Sequence, residues 1–354
     1  MPRLARGPLL EGLPFGAMAA VAAVDVLAGP EVGFLALFSL GPAFACVAGS
    51  VRRALLVGVL AFVLCLSVAW YDALLDTRRA VVALASVAGA TGAAALAALV
   101  RGRFERELAD IRHVAEAAQR VLLRPVPRRA GRMRVAVSYT SAAAAARIGG
   151  DLYEVVATPS GTTRVIIGDV QGKGLEAVET AAVVLGAFRE AAPDEEDLEA
   201  VGRRLERALN RRLEGEEFVT AVLAEVDADH TLTLLNYGHP APLLIRRGQP
   251  VRFAEPPVHA PPLGLASLGP DGPVGHQVVL APGDQMLLYT DGVAEARDAD
   301  GEFYPLAQRA FLLEEEDPDA ALEALRRDLV AHVAGPLGDD AAMLLLRYRD
   351  REDG

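Results

Sequence analysis

The first hundred residues constrain the fold of this chain most strongly, because they contain four apolar stretches in close succession. The stretches cover residues 13–29, 32–50, 54–71 and 80–100, and each is 17 to 21 residues long. A helix of about 20 apolar residues spans the hydrocarbon core of a bilayer. The breaks between the stretches are short and carry proline or charge. Residues 1–100 therefore predict an all-α transmembrane bundle of about four helices.

Basic residues predict the orientation of this bundle, since cytoplasmic loops are enriched in lysine and arginine. With four spans, one side of the membrane receives Arg3, Arg6, Arg52, Arg53, Arg101, Arg103 and Arg106. We therefore predict a multi-pass protein of the plasma membrane with both termini in the cytoplasm. Asp25, in the first stretch, is either a functional group at membrane depth or a residue near the interface. A signal peptide fits less well, because the apolar stretches continue for about a hundred residues.

The formal net charge of −12 is carried by the rest of the chain. Residues 101–354 hold 29 basic and 42 acidic residues. Nucleic-acid-binding domains usually present a basic surface, so we predict no nucleic-acid partner. The two cysteines, Cys46 and Cys65, lie in apolar stretches, where we expect small buried or lipid-facing residues and neither a disulfide nor a metal pair.

Residues 101–131 predict a helical connector between the bundle and a soluble domain. Its apolar residues recur at alternating spacings of four and three: Phe104, Leu108, Ile111, Ala115, Ala118 and Leu122. This spacing is typical of a coiled-coil seam, but it covers fewer than three heptads. Two interpretations stay open, a homodimer through this helix and a stripe that packs on the chain's own domain. Pro125 and Pro127 predict the end of the helix.

Residues 132–354 predict a mixed domain of strands and helices. Strand-like runs cover 133–139, 151–157, 163–169, 218–227, 231–237, 242–246, 276–280, 285–290 and 342–348, and helical patterns cover 175–192, 195–213 and 319–334. Several strands follow one another through short turns, while the helices come as a pair and then near the end. This order favours an α+β fold of antiparallel sheet with helices packed outside over alternating βαβ units.

Aspartates recur at the ends of these predicted strands. Residues 165–174 read V-I-I-G-D-V-Q-G-K-G, which places Asp169 directly after a β-branched run. Asp151, Asp291 and the pair Asp339 and Asp340 stand at three further strand ends. One such aspartate is usually a turn former or a helix cap. If the four ends converge, the repelling carboxylates form an acidic pocket that hard cations such as Mg²⁺ or Mn²⁺ can stabilise.

Eight sequence blocks between about residues 114 and 348 then carry a resemblance to a known family. They read A-A-Q-R-V-L-L-R-P, I-G-G-D-L-Y-E, I-G-D-V-Q-G-K-G, F-V-T-A-V-L-A-E-V-D, N-Y-G-H-P-A-P-L-L, P-P-L-G-L, A-P-G-D-Q-M-L-L-Y-T-D-G-V-A-E-A-R-D-A-D-G and G-D-D-A-A-M-L-L-L-R. In content and order they resemble the SpoIIE-like (RsbU-type) branch of the PPM metal-dependent serine/threonine phosphatases. The resemblance implies an α/β/β/α sandwich of two antiparallel sheets flanked by helices.

The resemblance also implies a set of site residues. Asp169 would bridge two divalent cations, Mn²⁺ or Mg²⁺, and the backbone carbonyl of Val170 would add a ligand. Asp151, Asp291 and Asp339 would complete the metal shells, so Asp169, Asp151 and Asp291 are the predicted catalytic residues. Asp340 is expected to orient the shell. It is a secondary candidate together with Gly150 and Gly292, which adjoin the ligands.

Two positions depart from the family pattern. Glu154 stands where an aspartate is usual, and the alanine run at 142–146 replaces a more polar stretch near the expected substrate side. The four expected aspartates are all present, which predicts an active enzyme.

Three other polar residues have two interpretations each. His239 either assists phosphate chemistry or, as we expect for it and for Asn236, stabilises a turn. Lys173 either attracts phosphate or is a solvated residue of a glycine turn.

The function implied by the resemblance is removal of phosphate from Ser or Thr of a protein partner by a membrane-anchored enzyme. An anti-sigma-factor antagonist is the implied partner. Three alternatives stay open: a non-catalytic signalling module of the same fold, a transporter with a regulatory tail, and a hydrolase of small phosphate esters. A missing aspartate would favour the first of these, and polar groups inside the spans would favour the second.

Overall fold

The fold is described from a computed structural model, which covers residues 8–28, 34–48, 50–141, 149–212, 217–266, 272–333 and 335–349. The chain divides into two compact units, Met1–Ile111 and Arg112–Gly354. The alanine run at 142–146 lies outside the described residues. So do Arg3 and Arg6, as well as the side chains of Leu108, Ile111 and Ala115 on the predicted seam. The predicted dimer contact through that seam therefore stays a prediction.

In its described residues, the first unit consists of helices and the turns that connect them. Its elements are α1 (Pro8–Ala28), a 3-10 turn (Leu35–Ser39) that leads into α2 (Leu40–Ala48), α3 (Val51–Tyr71) and the first part of α4 (Arg78–Leu122). A helix thus lies in each predicted apolar stretch. Two segments, Val51–Tyr71 and Arg78–Glu107, are long and apolar enough to cross a membrane, whereas Gly12–Asp25 and Leu35–Cys46 are shorter.

The interior of this unit is apolar, and among its described residues Asp25 is a buried carboxylate. Met18, Phe38, Val57 and Cys65 belong to its buried cluster. Asp25 is only 4% exposed, and its Oδ1 accepts a hydrogen bond from the backbone N–H of Phe34 at 3.1 Å. The side chain of Asp25 therefore fixes the start of the 3-10 turn within this unit.

Helix α4 is one continuous element of 45 residues. It joins the fourth apolar stretch and the predicted connector, which the sequence had presented as two segments. Nothing between residues 78 and 122 interrupts a helix strongly, because the segment contains no proline. Pro125 follows its C-terminal end, as predicted.

The second unit contains two antiparallel sheets. Their strands are β1 (Arg129–Ala130), β2 (Met133–Thr140), β3 (Asp151–Ala157), β4 (Thr163–Val170), β5 (Val219–Val226), β6 (Thr231–Tyr237), β7 (Leu243–Ile245), β8 (Arg252–Phe253), β9 (His276–Val279), β10 (Gln285–Tyr289) and β11 (Ala341–Tyr348). One sheet has the order β1-β2-β11-β10-β7-β8 and the other β3-β4-β5-β6-β9. The helices are α5 (Leu175–Asp194), α6 (Leu198–Leu209), α7 (Asp291–Ala294), α8 (Leu306–Arg309) and α9 (Pro318–His332).

The two sheets pack face to face and are covered by helices on both outer sides. Alternating side chains of both sheets, such as Val165 and Leu344, form the central core. Phe188 and Leu205 of α5 and α6 pack with Ile166 on the outside of the β3–β9 sheet. Leu325 of α9 covers the outside of the other sheet. This is the predicted α/β/β/α sandwich, because an amphipathic sheet must bury each apolar face against another layer.

The nine predicted strands and the three predicted helices of this domain are all present, with ends shifted by at most four residues. The sequence patterns missed the shortest elements. These are the two-residue strands β1 and β8, the four-residue helices α7 and α8, and the 3-10 turn Ala310–Glu314. Elements of two to five residues are too short to show the periodicity of a strand or a helix in the sequence.

Candidate active site

Three aspartates from separate elements meet at one end of the sandwich. Asp151 opens β3 and is the direct cross-strand partner of Asp169 near the end of β4. Asp291 is the first residue of α7, directly after β10. Carboxylate oxygens of Asp151, Asp169 and Asp291 lie within 4.8 Å of one another. The predicted convergence of these three strand ends is therefore present.

Two glycines allow the strand ends to approach this closely. A Cβ atom at Gly150 would overlap the backbone of Val170 at the end of β4, including its carbonyl oxygen. A Cβ atom at Gly292 would overlap the backbone carbonyl of Asp340. The secondary candidates Gly150 and Gly292 thus lie at backbone contacts, and the Val170 carbonyl lies next to Gly150, the residue before Asp151.

Asp339 and Asp340 differ in their surroundings, although they are adjacent in sequence. Asp339 lines the same cavity as Asp169, and its Oδ2 accepts a hydrogen bond from Lys173 Nζ at 2.5 Å. It is not part of the trio within 4.8 Å. Asp340 is 2% exposed, and its carboxylate accepts from the Gly149 N–H at 3.1 Å and from the Tyr139 hydroxyl. The Asp340 carboxylate is therefore engaged by protein donors.

Thr290 holds the most buried carboxylate of the acidic trio. Its hydroxyl donates to Asp151 Oδ2 at 2.9 Å and accepts from the backbone N–H of Ala342 at 3.0 Å. Thr290 is completely buried. One hydroxyl thus links β10, β11 and β3 and sets the orientation of Asp151.

A second hydrogen-bonded chain reaches the site from the C-terminal end of α4. Gln119 Nε2 donates to the Tyr139 hydroxyl at 2.9 Å and to the Gly149 carbonyl at 3.2 Å. Tyr139 in turn donates to Asp340. Gln119 is 8% exposed, so this amide positions both Tyr139 and the backbone that precedes Asp151.

Burial and repulsion from neighbouring carboxylates raise the pKa values of all three carboxylates of the trio. Burial first, and then the neighbouring Asp169, raises the pKa of Asp151 well above its ordinary value. Burial, with Asp291 and Asp339 next, raises the pKa of Asp169 to about 7. Burial and Asp339 raise the pKa of Asp291 as well. Clustered, buried carboxylates with raised pKa values fit a divalent cation, which would compensate both causes of the shift. The trio could therefore hold a metal ion.

A cavity of about 730 Å³ opens next to the acidic residues. Its lining includes Asp169, Asp291 and Asp339 together with Phe218, Glu255 and His259. Its volume and open mouth are suited to a side chain presented by another molecule.

His239 and Asn236 stabilise the turn after β6. Asn236 exchanges two hydrogen bonds with the backbone of His239, at 2.8 and 2.9 Å. His239 Nε2 donates to the Tyr289 carbonyl at 3.1 Å, which leaves Nδ1 to accept from the Thr220 hydroxyl at 3.0 Å. Burial lowers the pKa of His239 to about 4, so the ring is neutral near pH 7. Both ring nitrogens are engaged, as the structural interpretation of His239 predicts.

Sequence reasoning did not single out Thr290, Tyr139 or Gln119. Thr290 directly precedes Asp291 in the T-D-G block, and this adjacency was the only available signal. The partners of Tyr139 and Gln119 are 201 and 30 residues away in sequence. Such contacts follow from tertiary structure and leave no local pattern.

The two-sheet sandwich and the acidic trio at its end match a PPM-type phosphatase domain. Comparison with known proteins agrees with this class. A family model for Stage II sporulation protein E (SpoIIE) matches residues 159–349, more than half of the chain. The chain belongs to this SpoIIE family. Asp151 precedes the matched range, but it is linked to it by its pairing with Asp169.

Solved structures share the fold at low sequence identity. The SiaA-PP2C domain of Pseudomonas aeruginosa is 20% identical, with a TM-score of 0.56, over 71% of this chain and 98% of that domain. The PP2C phosphatase domain of SpoIIE from Bacillus subtilis, with a fragment of its regulatory domain, is 17% identical, with a TM-score of 0.54, over 62% of this chain and 63% of that one.

A third similar structure contains the RsbU and RsbW domains of a Mycobacterium tuberculosis protein. It is 24% identical, with a TM-score of 0.50, over 61% of this chain and 60% of that one. The chain thus spans less than two thirds of the SpoIIE and RsbU–RsbW structures.

Proposed function

We propose that this chain is a membrane-anchored, metal-dependent phosphatase that removes phosphate from Ser or Thr of a protein partner. The observation that carries the proposal is the trio Asp151, Asp169 and Asp291 within 4.8 Å at the edge of an open cavity. Membership of the SpoIIE family, whose domains are PPM phosphatases, supports the type of reaction.

In this proposal the carboxylates of Asp151, Asp169 and Asp291, the carbonyl of Val170 and the carboxylate of Asp339 hold two divalent cations, Mn²⁺ or Mg²⁺. Such a pair polarises a phosphoryl oxygen and lowers the pKa of a bound water, which makes hydrolysis possible without a protein nucleophile. Asp169 lines the cavity, whereas Asp151 does not, and in this proposal the Asp169 carboxylate would help to hold both cations. Asp340 does not bind metal in this account, because protein donors already occupy its carboxylate.

The other residues of the site keep the carboxylates in position and admit the substrate. Thr290 fixes Asp151 by a hydrogen bond of 2.9 Å, and Tyr139 fixes Asp340. The cavity is open to solvent and is lined by Phe218 and His259 as well as by the aspartates, so a phosphorylated side chain can enter while its backbone stays outside. This shape favours a phosphoprotein over a small ester as the substrate.

The partner and the location belong to the same proposal. One similar structure joins an RsbU domain to an RsbW domain, which supports an anti-sigma-factor antagonist as the phosphorylated partner. The two long apolar segments Val51–Tyr71 and Arg78–Glu107 support anchoring in the plasma membrane. We propose that all four apolar helices belong to the membrane module and that the phosphatase domain is cytoplasmic.

The experiment that tests this proposal compares two substrates with the full chain in lipid vesicles. Phosphate release is measured from a phosphoserine protein and from p-nitrophenyl phosphate, with Mn²⁺ and then with chelator. We expect metal-dependent release from both and a higher kcat/KM for the phosphoprotein. Metal-dependent release that strongly favours the small ester would contradict the assigned substrate. Metal binding without release from either would favour the alternative, a non-catalytic signalling or binding module controlled by the membrane domain.

A further inference from the structure

Lys173 is the only lysine in the chain. The sequence contains 35 lysine and arginine residues together, and the other 34 are arginines. Lys173 lies between Gly172 and Gly174, in the turn that connects β4 to α5. The single side-chain ammonium group of the sequence therefore stands four residues after Asp169.

The contact of Lys173 places this group at the acidic site. Its Nζ lies 2.5 Å from Asp339 Oδ2, and the two side chains are 31% and 40% exposed. Asp339 Oδ1 accepts from the backbone N–H of Asp340 at 2.9 Å. Among the described residues that line the cavity, Lys173 is the only lysine or arginine. The other charged groups of this lining are carboxylates, those of Asp169, Asp291, Asp339, Glu255 and Glu295.

The chemistry of lysine suits a site that also binds a hard cation. An ammonium group is a compact, strongly hydrated point charge, whereas a guanidinium is planar and binds a carboxylate through two N–H donors at once. The Lys173 ammonium can therefore bind one oxygen of Asp339 and dissociate from it without breaking a bidentate contact. The turn is also uncrowded: Gly172 and Gly174 have φ values of 95° and 96°, which favour glycine, and apart from their chain neighbours no atom lies within 4 Å of a Cβ built on either.

The dianion of a phosphate monoester meets mostly carboxylates in the lining of this cavity, so an ammonium group beside the bound cations would reduce the repulsion. We propose that Lys173 binds substrate: its ammonium group pairs with Asp339 while that carboxylate holds no cation, and binds a phosphoryl oxygen once a cation occupies it. This inference rests on the proposed function. It adds a residue that contacts the phosphoryl group and gives the Lys173–Asp339 ion pair a role in the metal-free site.

The first test measures metal binding and substrate binding in Lys173→Met, where the first should become tighter and the second weaker. Mn²⁺ affinity, by calorimetry on the full chain in lipid, is expected to rise by a few fold, because a competing cation is gone. The KM for p-nitrophenyl phosphate is expected to rise by about tenfold, because a charge-assisted hydrogen bond to phosphate is lost. Arg247→Met, in the exposed turn after β7, is the control and should change neither. A purely structural lysine would weaken both, and that result, or an unchanged KM, would overturn the proposal.

The second test uses the single lysine as a spectroscopic probe and needs no catalytic activity. Labelling with ε-¹³C lysine gives one methylene NMR signal in the full chain. We expect this signal to shift on addition of Mg²⁺, and to shift again with inorganic phosphate only when Mg²⁺ is present. In Asp339→Asn the Mg²⁺-induced shift should be lost. A signal that ignores Mg²⁺, or that ignores phosphate in the Mg²⁺-loaded protein, would overturn the proposal.

The two tests separate this inference from the proposed function. If the wild-type chain releases no phosphate from any substrate, the proposed phosphatase function fails, and the NMR signal still decides whether Lys173 exchanges Asp339 for phosphate. If the wild-type chain is active and Lys173→Met keeps its KM, the inference fails while the phosphatase function stands.

Discussion

Thr290 shows how much of the site depends on a single hydroxyl group. It donates to Asp151 and accepts from the Ala342 N–H, and it has no access to solvent. In Thr290→Val both partners would stay buried without their hydrogen bond. We predict a loss of about 1–3 kcal/mol in the free energy of unfolding, measured with urea in chelator.

The same substitution should also weaken Mn²⁺ binding, because the Asp151 carboxylate loses the donor that lowers its pKa. Thr233→Val, on the half-exposed side of β6, is the matched control and should change both quantities little. If Thr290→Val binds Mn²⁺ as tightly as the wild type, Thr290 does not position Asp151.

Asp169 predicts a pH dependence of stability in the metal-free protein. Burial and neighbouring charge raise its pKa to about 7, from 3.8 for an ordinary aspartate. The folded chain keeps a proton that the unfolded chain releases, so the contribution of Asp169 to stability is lost as pH rises from about 4 to 7. Asp169→Asn removes this loss. We predict that the free energy of unfolding of the variant, relative to that of the wild type, rises by more than about 1 kcal/mol from pH 5 to pH 8.

This comparison uses urea unfolding of both chains with chelator at the two pH values. His239 gives the opposite slope, because its lowered pKa removes stability as pH falls from 6.5 to about 4. That contribution is present in both chains and cancels in the difference. If the free energies of unfolding of the two chains differ by the same amount at pH 5 and pH 8, the raised pKa of Asp169 is contradicted.

At the scale of elements, the site depends on how closely α7 approaches β11. Gly292→Ala would place a Cβ atom against the Asp340 carbonyl, which belongs to rigid backbone. We predict a loss of about 1–3 kcal/mol in stability and weaker Mn²⁺ binding, because α7 carries Asp291. Gly186→Ala in α5 is the control. Nothing lies within 4 Å of its added Cβ, so stability should rise by about 0.5–1 kcal/mol. Unchanged Mn²⁺ affinity in Gly292→Ala would contradict this account.

The elements of the domain could be predicted because their patterns are local. β4 reads as a β-branched run that ends in Asp169 and a glycine turn, and its partner β3 begins at Asp151, so both ends of the strand pair could be placed from sequence. The continuity of α4 through residues 101–103 was not evident, since arginine and glycine can either end a helix or continue it. The orientation of Asp151 by Thr290 and of Asp340 by Tyr139 could not be predicted, because those contacts join residues far apart in sequence.

At the scale of the whole molecule, the proposed membrane module can be tested through Trp70. This is the only tryptophan in the chain, and it lies at the end of α3 next to Tyr71. Trp70 is 75% exposed on the protein, and aromatic residues at the ends of spans often lie at the membrane interface. We predict that fluorescence of the chain in vesicles is quenched by brominated lipid. Trp70→Phe provides the blank, and a signal insensitive to brominated lipid would contradict insertion of α3.

The most direct test of the central claim is phosphate release by the full chain in lipid vesicles with Mn²⁺, compared among four proteins. These are the wild type, Asp169→Asn, Asp291→Asn and, as a control, Asp229→Asn in the exposed turn after β5. The account predicts release by the wild type and the control that stops with chelator, and a loss of more than about 100-fold in both site variants. Release that continues in chelator, or that survives in Asp169→Asn, would contradict it.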